Sequence, residues 1–419
     1  MTKKQTSSIS NLWARKKDPI KPFSFFKDIS INTTFHGGAT PQDKENMAEH
    51  KPHIFNFNEY LLNHKPMHIP QNKINLNFLE WFIGFSEGDG TFYVKNEKYG
   101  PRVIFEISQK YPQPLYRIKK ELGFGTVREE IRENNQSYWK FIIESKKNIP
   151  KIAALFNGNI ILPKRRVQFH KWIEIAKEVN CLPACYINKQ SDIVNQIEAN
   201  AKNEDFIRAL YPTVITPTTI AHTKYSGDLC SMGNMGVDFL GPSKFPSPSL
   251  KNAWLVGFIE AEGCFSASYL KQKASSISFD IKDNNTPPFQ NRENLGSTFN
   301  ITGVRIKARI TLTQKSDYGD HVVLERIGEL FESKAKVLRV TNQFYPDKSI
   351  SPLYRLDMQS IESHCRVINY LNQYQLYTKK IIAYRRWERV INAKVLGSHL
   401  NPLQLPRLQR LCKSINRPL

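Results

Sequence analysis

The clearest pattern of apolar and polar positions in this chain of 419 residues is a strict alternation within Val304–Lys315. From position 304 to position 312 every second residue is apolar, and the residues between them are basic or carry a hydroxyl group. A period of two with one apolar side predicts a β-strand that is buried on one face and exposed on the other. The exposed face of this predicted strand carries Arg305, Lys307 and Arg309, so it is strongly basic.

A second pattern is an apolar run of helical length that occurs twice. Residues 81–92 read WFIGFSEGDGTF, and residues 254–265 read WLVGFIEAEGCF. The two runs align without a gap, and each ends in an acidic residue and a glycine before a strand-like segment. A repeat of this length indicates two related halves in one chain.

Small residues recur at helical spacing in both runs. Gly84 and Gly88 fall on one face of the first predicted helix, and Gly257 and Ala261 fall on one face of the second. Two such helices could lie almost backbone to backbone. That contact would bring together the two terminal acids, Asp89 and Glu262.

The elements predicted around the two runs follow the same order, namely helix, two strands, helix, two strands and helices. Asn75 or Asn77 can cap the first repeated helix, and Ser249 can cap the second. Downstream, residues 107–110 (ISQK) match residues 312–315 (LTQK). The repeat therefore extends well beyond the two runs and predicts two domains of one architecture.

The remaining segments have no counterpart in the repeat. We predict a surface insertion in the long connection, with a helix near residues 193–210, and a disordered arm at residues 406–418. The predicted organisation is a polar, partly disordered leader over 1–73, a first domain over 74–180, the connection over 181–248, a second domain over 249–395 with a loop insertion at 270–303, and a basic tail over 396–419.

Residues 82–90 and 255–263 resemble the two copies of the LAGLIDADG motif, and the chain is similar to the two-motif LAGLIDADG homing endonucleases. This resemblance covers about residues 74–180 and 249–395. It implies an α/β (α+β) fold of two pseudo-symmetric αββαββα domains. Each domain would hold a curved four-stranded antiparallel sheet, and the two would pack through the motif helices of a monomer.

Composition narrows the class of partner. Lys and Arg number 60 against 38 Asp and Glu, which gives a formal net charge of +22. Such an excess favours nucleic acid over a membrane surface, because each cation placed on a phosphate releases condensed counterions. No apolar run reaches the roughly 18 to 20 residues of a membrane span. The six scattered cysteines indicate neither a disulfide framework nor a zinc finger.

The acids that end the two runs are candidate metal ligands. A carboxylate at the C-terminal end of a helix is unfavourable for the helix dipole, yet the chain places one there twice. The resemblance implies that Asp89 and Glu262 bind a divalent cation, Mg²⁺, with the carbonyl groups of Gly88 and Ala261 as further ligands. The acids two positions earlier, Glu87 and Glu260, are predicted to be structural or to pair with a basic residue.

Four more residues are candidates for the catalytic centre. Gln109 and Gln314 lie at strand ends on the apolar side, where a glutamine needs a hydrogen-bond partner. The resemblance implies that they order a water molecule or a phosphate. Arg165 and Lys380 fall where the family carries a basic residue, although the neighbouring Lys164 and Lys379 are alternatives from spacing alone.

The exposed faces of the two sheets are candidate DNA-contact surfaces, because a β-ribbon fits the major groove, where every base pair is distinguishable. The two faces differ in sequence, so the target should be long and not palindromic. The candidates are Tyr93, Lys95, Arg102, Glu106, Ser108, Arg128 and Lys140 in the first domain, and Ser266, Ser268, Arg305, Lys307, Arg309, Thr311, Thr313, Lys336 and Arg355 in the second.

These features predict a site-specific endonuclease that makes a staggered, metal-dependent break in double-stranded DNA. The alternatives are an RNA maturase that assists splicing of its host intron, alone or in addition, and a DNA-binding regulator that no longer cuts. The presence of both acids favours the nuclease. A composition heavy in Asn, Ile, Lys and Phe favours an organelle-encoded protein, mitochondrial rather than chloroplast.

Overall fold

The computed structural model describes residues 55–64, 74–98, 100–131, 136–211, 246–271, 304–315, 318–340 and 353–417. The rest of the leader, all of the 212–245 part of the connection and nearly all of the 270–303 insertion lie outside the described residues. Within the described ranges no helix combines the length and the apolar character needed to cross a bilayer.

The first half contains the predicted helix and strand order, preceded by one extra helix. Asn75 is the residue that caps the motif helix, since its Oδ1 accepts a 3.1 Å hydrogen bond from the Phe78 N–H. The elements are α1 (Asn58–Asn63), α2 (Leu76–Asp89), β1 (Gly90–Glu97), β2 (Gly100–Gln109), α3 (Gln113–Leu122), β3 (Thr126–Ile131), β4 (Ser137–Ile143), α4 (Ile149–Phe156) and α5 (Pro163–Glu178).

The second half repeats this order after two helices of the connection. Its elements are α6 (Ser191–Ala199), α7 (Glu204–Leu210), α8 (Trp254–Glu262), β5 (Gly263–Lys271), β6 (Val304–Lys315), α9 (His321–Leu330), β7 (Leu338–Val340), β8 (Leu353–Met358), α10 (Ile361–Gln373), α11 (Lys380–Val395), a short 3₁₀ turn (Ser398–Leu400) and α12 (Leu405–Ser414).

The predicted cap of the second motif helix is wrong. α8 begins at Trp254, five positions after Ser249, and Ala253 stands at its N-cap without a side-chain hydrogen bond. The Ser249 hydroxyl instead accepts from the Lys251 N–H at 3.1 Å. The backbone N–H of Trp254 donates to Asn252 Oδ1 at 3.2 Å. The Asn252 side chain, and not Ser249, therefore accepts a hydrogen bond at the start of α8.

Two antiparallel sheets carry the site. Their strand orders are β1-β2-β4-β3 and β5-β6-β8-β7. Phe92 pairs with Phe105 in the first sheet, and Phe265 pairs with Ile310 in the second, with both pairs on the buried face. The alternation predicted for β6 is confirmed, because its burial alternates along the whole strand. The opposite face of each sheet is open.

Part of the predicted leader belongs to the packed fold. Phe55, Phe57 and Tyr60 are buried around α1. The Asn56 N–H donates to Asn159 Oδ1 at 2.9 Å, which ties this segment to the first half. The prediction of a polar leader is therefore wrong for residues 55–64, where three aromatic side chains outweigh the polar composition.

The connection and the tail are also more ordered than predicted. Helices α6 and α7 replace the single predicted helix, and Ile193, Ile197 and Tyr211 are buried rather than exposed on a surface insertion. The segment 406–418 is predicted as a disordered arm, but α12 occupies most of it and buries Leu408 and Cys412. In both segments apolar residues at helical spacing supply the packing surface.

Candidate active site

The two motif helices α2 and α8 pack backbone to backbone. A Cβ atom added to Gly84 would lie 2.0 Å from the Trp254 carbonyl oxygen, and one added to Gly257 would lie 2.1 Å from the Trp81 carbonyl oxygen. No side chain fits at these distances. The contact predicted from the small-residue spacing is therefore confirmed, and the two glycines set how closely the halves approach.

Two reciprocal hydrogen bonds fasten this helix pair. Trp81 Nε1–H donates to Glu260 Oε2 at 2.7 Å, and Trp254 Nε1–H donates to Glu87 Oε1 at 2.8 Å. Each bond joins the tryptophan of one half to the glutamate of the other. All four side chains are buried, so losing one partner would leave the other without a water molecule to replace it.

The same glutamates position the helices that carry the basic residues. Glu87 accepts from the backbone N–H groups of Ile161 and Leu162, just before α5. Glu260 accepts from the N–H groups of Tyr377 and Thr378, just before α11. The two glutamates are structural, one of the readings that the sequence left open. The tryptophan partners were missed, although both occupy the first position of the repeated run.

The terminal acids of the two helices lie close together, where α2 and α8 end. A Cβ atom added to Gly88 would lie 3.2 Å from Glu262 Cγ, which shows how near the two helix ends come. Burial raises the pKa of Glu262 to about 7, and the negative charge of Asp89 adds to this rise. Burial also raises the pKa of Asp89. The fold therefore holds two carboxyl groups whose charged forms are disfavoured, Asp89 by burial and Glu262 by burial and by the charge of Asp89.

Each acid has a glutamine beside it. Gln109 Nε2–H donates to Asp89 Oδ2 at 2.7 Å. With its amide oriented so that the nitrogen donates, Gln314 lies 3.2 Å from Glu262 Oε1. The structure thus places both predicted glutamines on the predicted acids, where each can fix the orientation of one carboxylate.

Arg165 and Lys380 reach the carbonyl groups at the ends of the motif helices. Arg165 Nε–H donates to Glu87 O at 2.7 Å, and its Nη2–H donates to Gly88 O at 2.9 Å. Lys380 Nζ donates to Ala261 O at 3.2 Å. Lys379 instead lies over the ring of Tyr111, 3.5 Å from its centroid, so the structure separates it from Lys380.

The donor set fits a hard divalent cation. It consists of the carboxylates of Asp89 and Glu262 and the carbonyl oxygens of Gly88 and Ala261, which are oxygen ligands of the kind that Mg²⁺ prefers. Both carbonyl groups already face a cationic side chain. Within the described residues no cluster of three or more His, Cys, Asp and Glu offers a rival metal site.

Comparison with known proteins agrees with this geometry. The sequence model of the LAGLIDADG endonuclease family matches residues 82–176 and 255–391, more than half of the chain. This chain belongs to the LAGLIDADG endonuclease family. The two matched segments begin one residue after Trp81 and Trp254, so this LAGLIDADG chain carries both motifs in the helices that form the interface.

Relatives of this LAGLIDADG chain are encoded by introns. It is 25% identical over 342 residues to "Probable intron-encoded endonuclease 4" of Neurospora crassa, covering 81% of this chain and 44% of that protein. It therefore spans less than half of that relative. Over 97 residues it is 31% identical to "Intron-encoded RNA maturase bI4" of Saccharomyces cerevisiae, covering 23% of this chain and 14% of the maturase.

Solved structures show the same fold. The I-LtrWI LAGLIDADG homing endonuclease, in a crystal structure with its target DNA, is 19% identical. The likeness covers 82% of this chain and 99% of that one, with a TM-score of 0.50. The predicted α/β architecture of two four-stranded antiparallel sheets joined by the motif helices is confirmed.

The open face of the first sheet holds most of its charged candidates in ion pairs. Lys140 Nζ lies 3.1 Å from Glu106 Oε1 and 3.1 Å from Glu130 Oε2. Arg102 and Arg128 both approach Glu144, and Lys95 approaches Glu97. Tyr93 and Ser108 donate hydrogen bonds to Glu106. All seven first-domain candidates thus share one face, where acids balance the bases.

The second sheet presents a face with fewer acids. Arg355 lies 3.0 Å from Asp357, and Thr311 donates to the same carboxylate at 2.5 Å. The register sets the other strand candidates on this face, namely Ser266, Ser268, Arg305, Lys307, Arg309 and Thr313. Lys336 is exposed but lies outside the sheet, because β7 spans only Leu338–Val340.

Proposed function

We propose that this protein is a site-specific endonuclease that makes a staggered, divalent-metal-dependent break in double-stranded DNA. The observation that carries the proposal is the pair Asp89 and Glu262 at the ends of two packed helices, each with a glutamine and a cation beside it. A single chain supplies both halves of this centre, so we propose that it acts as a monomer.

The residues of the centre suit hydrolysis of a phosphodiester. Mg²⁺ at each acid, one ion held by Asp89 and one by Glu262, would activate water and neutralise charge on the phosphate of one strand. Gln109 and Gln314 hold the two carboxylates in one orientation, which reduces the reorganisation needed during the reaction. Arg165 and Lys380 place two basic side chains at the partly buried centre, and their positive charges favour the approach of an anionic backbone.

The two sheets would read the target. Both open faces carry polar and charged side chains that reach base edges in a major groove. Because the first face is paired with acids and the second is mainly basic, the two half-sites differ, and we propose a long target without twofold symmetry. The intron-encoded relatives, together with a relative of Saccharomyces cerevisiae that is named as a mitochondrial protein, support an origin in a mitochondrial genome.

A second candidate function is an RNA maturase that assists splicing. The observation that favours it is the match of 97 residues to a protein named as an intron-encoded RNA maturase. Such an activity would use the basic surfaces and would have no need for the paired acids, so the nuclease remains the proposal that explains these acids.

Selection from a randomised library of duplex DNA in the presence of Mg²⁺ tests the proposal. We expect one long asymmetric sequence to be recovered with staggered ends. If the protein recovers no cut DNA and instead retains intron RNA from a transcript pool, the endonuclease proposal fails and the maturase replaces it.

The glutamines yield a strand-specific prediction. Gln109→Leu removes the hydrogen bond to Asp89 and should slow cleavage of one DNA strand by about 10- to 100-fold. Loss of a hydrogen-bond partner of a metal ligand typically lowers metal affinity or activity by that factor. Gln314→Leu should slow the other strand. Rates measured on a duplex labelled separately on each strand check this, and equal slowing of both strands by either variant would contradict it.

Metal binding should depend on pH. The pKa of Glu262 is raised to about 7 by burial and by Asp89, and the metal binds the deprotonated carboxylate. Protons therefore compete below pH 7, and the apparent Mg²⁺ affinity of the DNA complex should fall by up to about tenfold per unit down to pH 5. Calorimetric titration with Mg²⁺ measures this. Glu262→Gln should flatten the dependence, and a wild-type affinity independent of pH would refute the assignment.

A further inference from the structure

Helix α12 at the end of the described chain has two unlike faces. Leu408, Cys412 and the following Ile415 are buried. Arg407, Arg410 and Lys413 are exposed, and at about 100° per residue they fall within about 120° on the opposite side. The apolar side explains why the helix packs on α11 and β5. The basic side is not needed for that packing.

The end of α12 is held beside the start of β5, close to Glu262, which with Gln314 and Lys380 forms the Glu262 centre. Asn416 Nδ2–H donates to Phe265 O at 2.9 Å, and Arg386 Nη1–H donates to Ser414 O at 2.5 Å and to Arg417 O at 2.7 Å. Asn416 also contacts Cys264, which follows Glu262 by two residues and is exposed at the start of β5. Arg417 therefore leaves the helix next to β5, the strand that begins directly after Glu262.

The segment that carries this face contains no acidic residue. No Asp or Glu follows Glu388 in the sequence. The corresponding helix of the first half is α6, which packs on α5 as α12 packs on α11. α6 carries Asp192 and Glu198 and no Lys or Arg. The basic extension is thus a property of the second half alone.

We propose that the basic face of α12, defined by Arg407, Arg410, Lys413 and Arg417, binds backbone phosphates of the DNA next to the bond cut at the Glu262 centre. This inference rests on the proposed function for the identity of the duplex. Guanidinium groups bind phosphate oxygens in a bidentate manner, and a DNA strand leaving the Glu262 centre would pass the end of α12. The face extends the DNA contact beyond the open surface of the second sheet on one side only.

The test is the salt dependence of DNA binding by the full chain in EDTA, with a duplex that is selected from a randomised library by binding alone, also in EDTA. The quadruple variant Arg407→Gln, Arg410→Gln, Lys413→Gln and Arg417→Gln should give a slope of log K against log salt that is shallower by about 3 to 4, since each lost phosphate contact removes about 0.9. Hydroxyl-radical footprinting should show protection lost only beside the cut made at the Glu262 centre.

Two matched controls separate this face from net charge. The variant with Arg407→Lys, Arg410→Lys and Arg417→Lys keeps the charge and should keep the wild-type slope. Four exposed lysines elsewhere, Lys119, Lys120, Lys147 and Lys202, give an equal charge change when replaced by Gln and should leave the footprint intact. A slope for the α12 variant equal to that of this control set would overturn the proposal.

The experiment also distinguishes a failure of the proposed function. One outcome is that the wild-type protein binds the duplex with the full salt dependence, and the α12 variant with a shallower one, while the wild-type protein fails to cut the duplex in Mg²⁺. In that case the endonuclease proposal fails and the phosphate contact stands. If the α12 variant loses affinity only for an RNA duplex of the same sequence, the face serves RNA, and the inference is wrong.

Discussion

Replacing both terminal acids by their amides, Asp89→Asn together with Glu262→Gln, is expected to abolish DNA cleavage while the variant still binds the uncut target. Each amide keeps the shape of the side chain and removes one charged metal ligand. Losing about 4 kcal/mol of transition-state stabilisation at each centre corresponds to about a 10³-fold slower cut. Each single variant should therefore nick the target, because one centre remains intact.

Measurements of the free energy of unfolding distinguish a loss of catalysis from a loss of folding in this double variant. The two acids are partly buried, and burial together with the negative charge of Asp89 raises the pKa of Glu262 to about 7. Removing the charges should leave the free energy of unfolding unchanged or raise it. The matched control is Asp205→Asn with Glu178→Gln, which makes the same chemical changes at exposed positions and should cut at the wild-type rate. Cleavage by the Asp89 and Glu262 double variant at the control rate would contradict the assignment.

The second large effect is expected from Gly84→Ala and Gly257→Ala. A Cβ atom at either position would lie 2.0 or 2.1 Å from a carbonyl oxygen of the facing helix, and a backbone atom cannot rotate out of the way as a side chain can. The helices must separate, which also opens the Trp81–Glu260 and Trp254–Glu87 hydrogen bonds. We expect each substitution to lower the free energy of unfolding by about 3 kcal/mol or more.

Gly328→Ala is the control for this prediction. Gly328 also lies inside a helix, α9, but an added Cβ atom would meet its nearest neighbour, Leu356 Cδ1, at 3.4 Å. That substitution should be neutral or stabilise the protein by up to about 1 kcal/mol, because alanine favours the helix. Denaturant unfolding of the three variants measures the difference. Equal stability of Gly84→Ala and Gly328→Ala would show that the helices do not pack as described.

The elements with a strong local period were predictable from the sequence. Apolar and polar residues alternate along β6 because one face of the strand packs on the core and the other faces solvent. The residue types of Val304–Lys315 show this difference directly. The motif helices were found through their repeat, and the spacing of Gly84 and Gly257 gave their contact. The terminal acids followed, since a helix fixes where its last residue lies.

Segments whose packing depends on distant residues were not predictable in the same way. The side chains of Phe55, Phe57 and Tyr60 occur in a polar stretch of sequence, and only the structure shows that they are buried against the first half. The partners of Glu87 and Glu260 lie 167 and 179 residues away in the chain, so no local pattern could select Trp254 and Trp81. The order of α12 depends on Asn416 reaching Phe265 O, a contact across 151 residues.

The choice between neighbouring basic residues also needed the structure. Lys379 and Lys380 have the same charge and adjacent positions, but the turn of α11 sends one towards Tyr111 and the other towards Ala261 O. Sequence spacing locates the pair, and only the direction in which each side chain leaves the helix separates them.

The most direct test of the central claim, that Asp89 and Glu262 form two centres that each cut one strand, is to map the cut ends on both strands of the selected target. The wild-type protein should give staggered ends on both strands. Asp89→Asn should leave one strand intact, Glu262→Gln the opposite strand, and the double variant should leave both intact. Wild-type ends on both strands from the double variant would contradict the account.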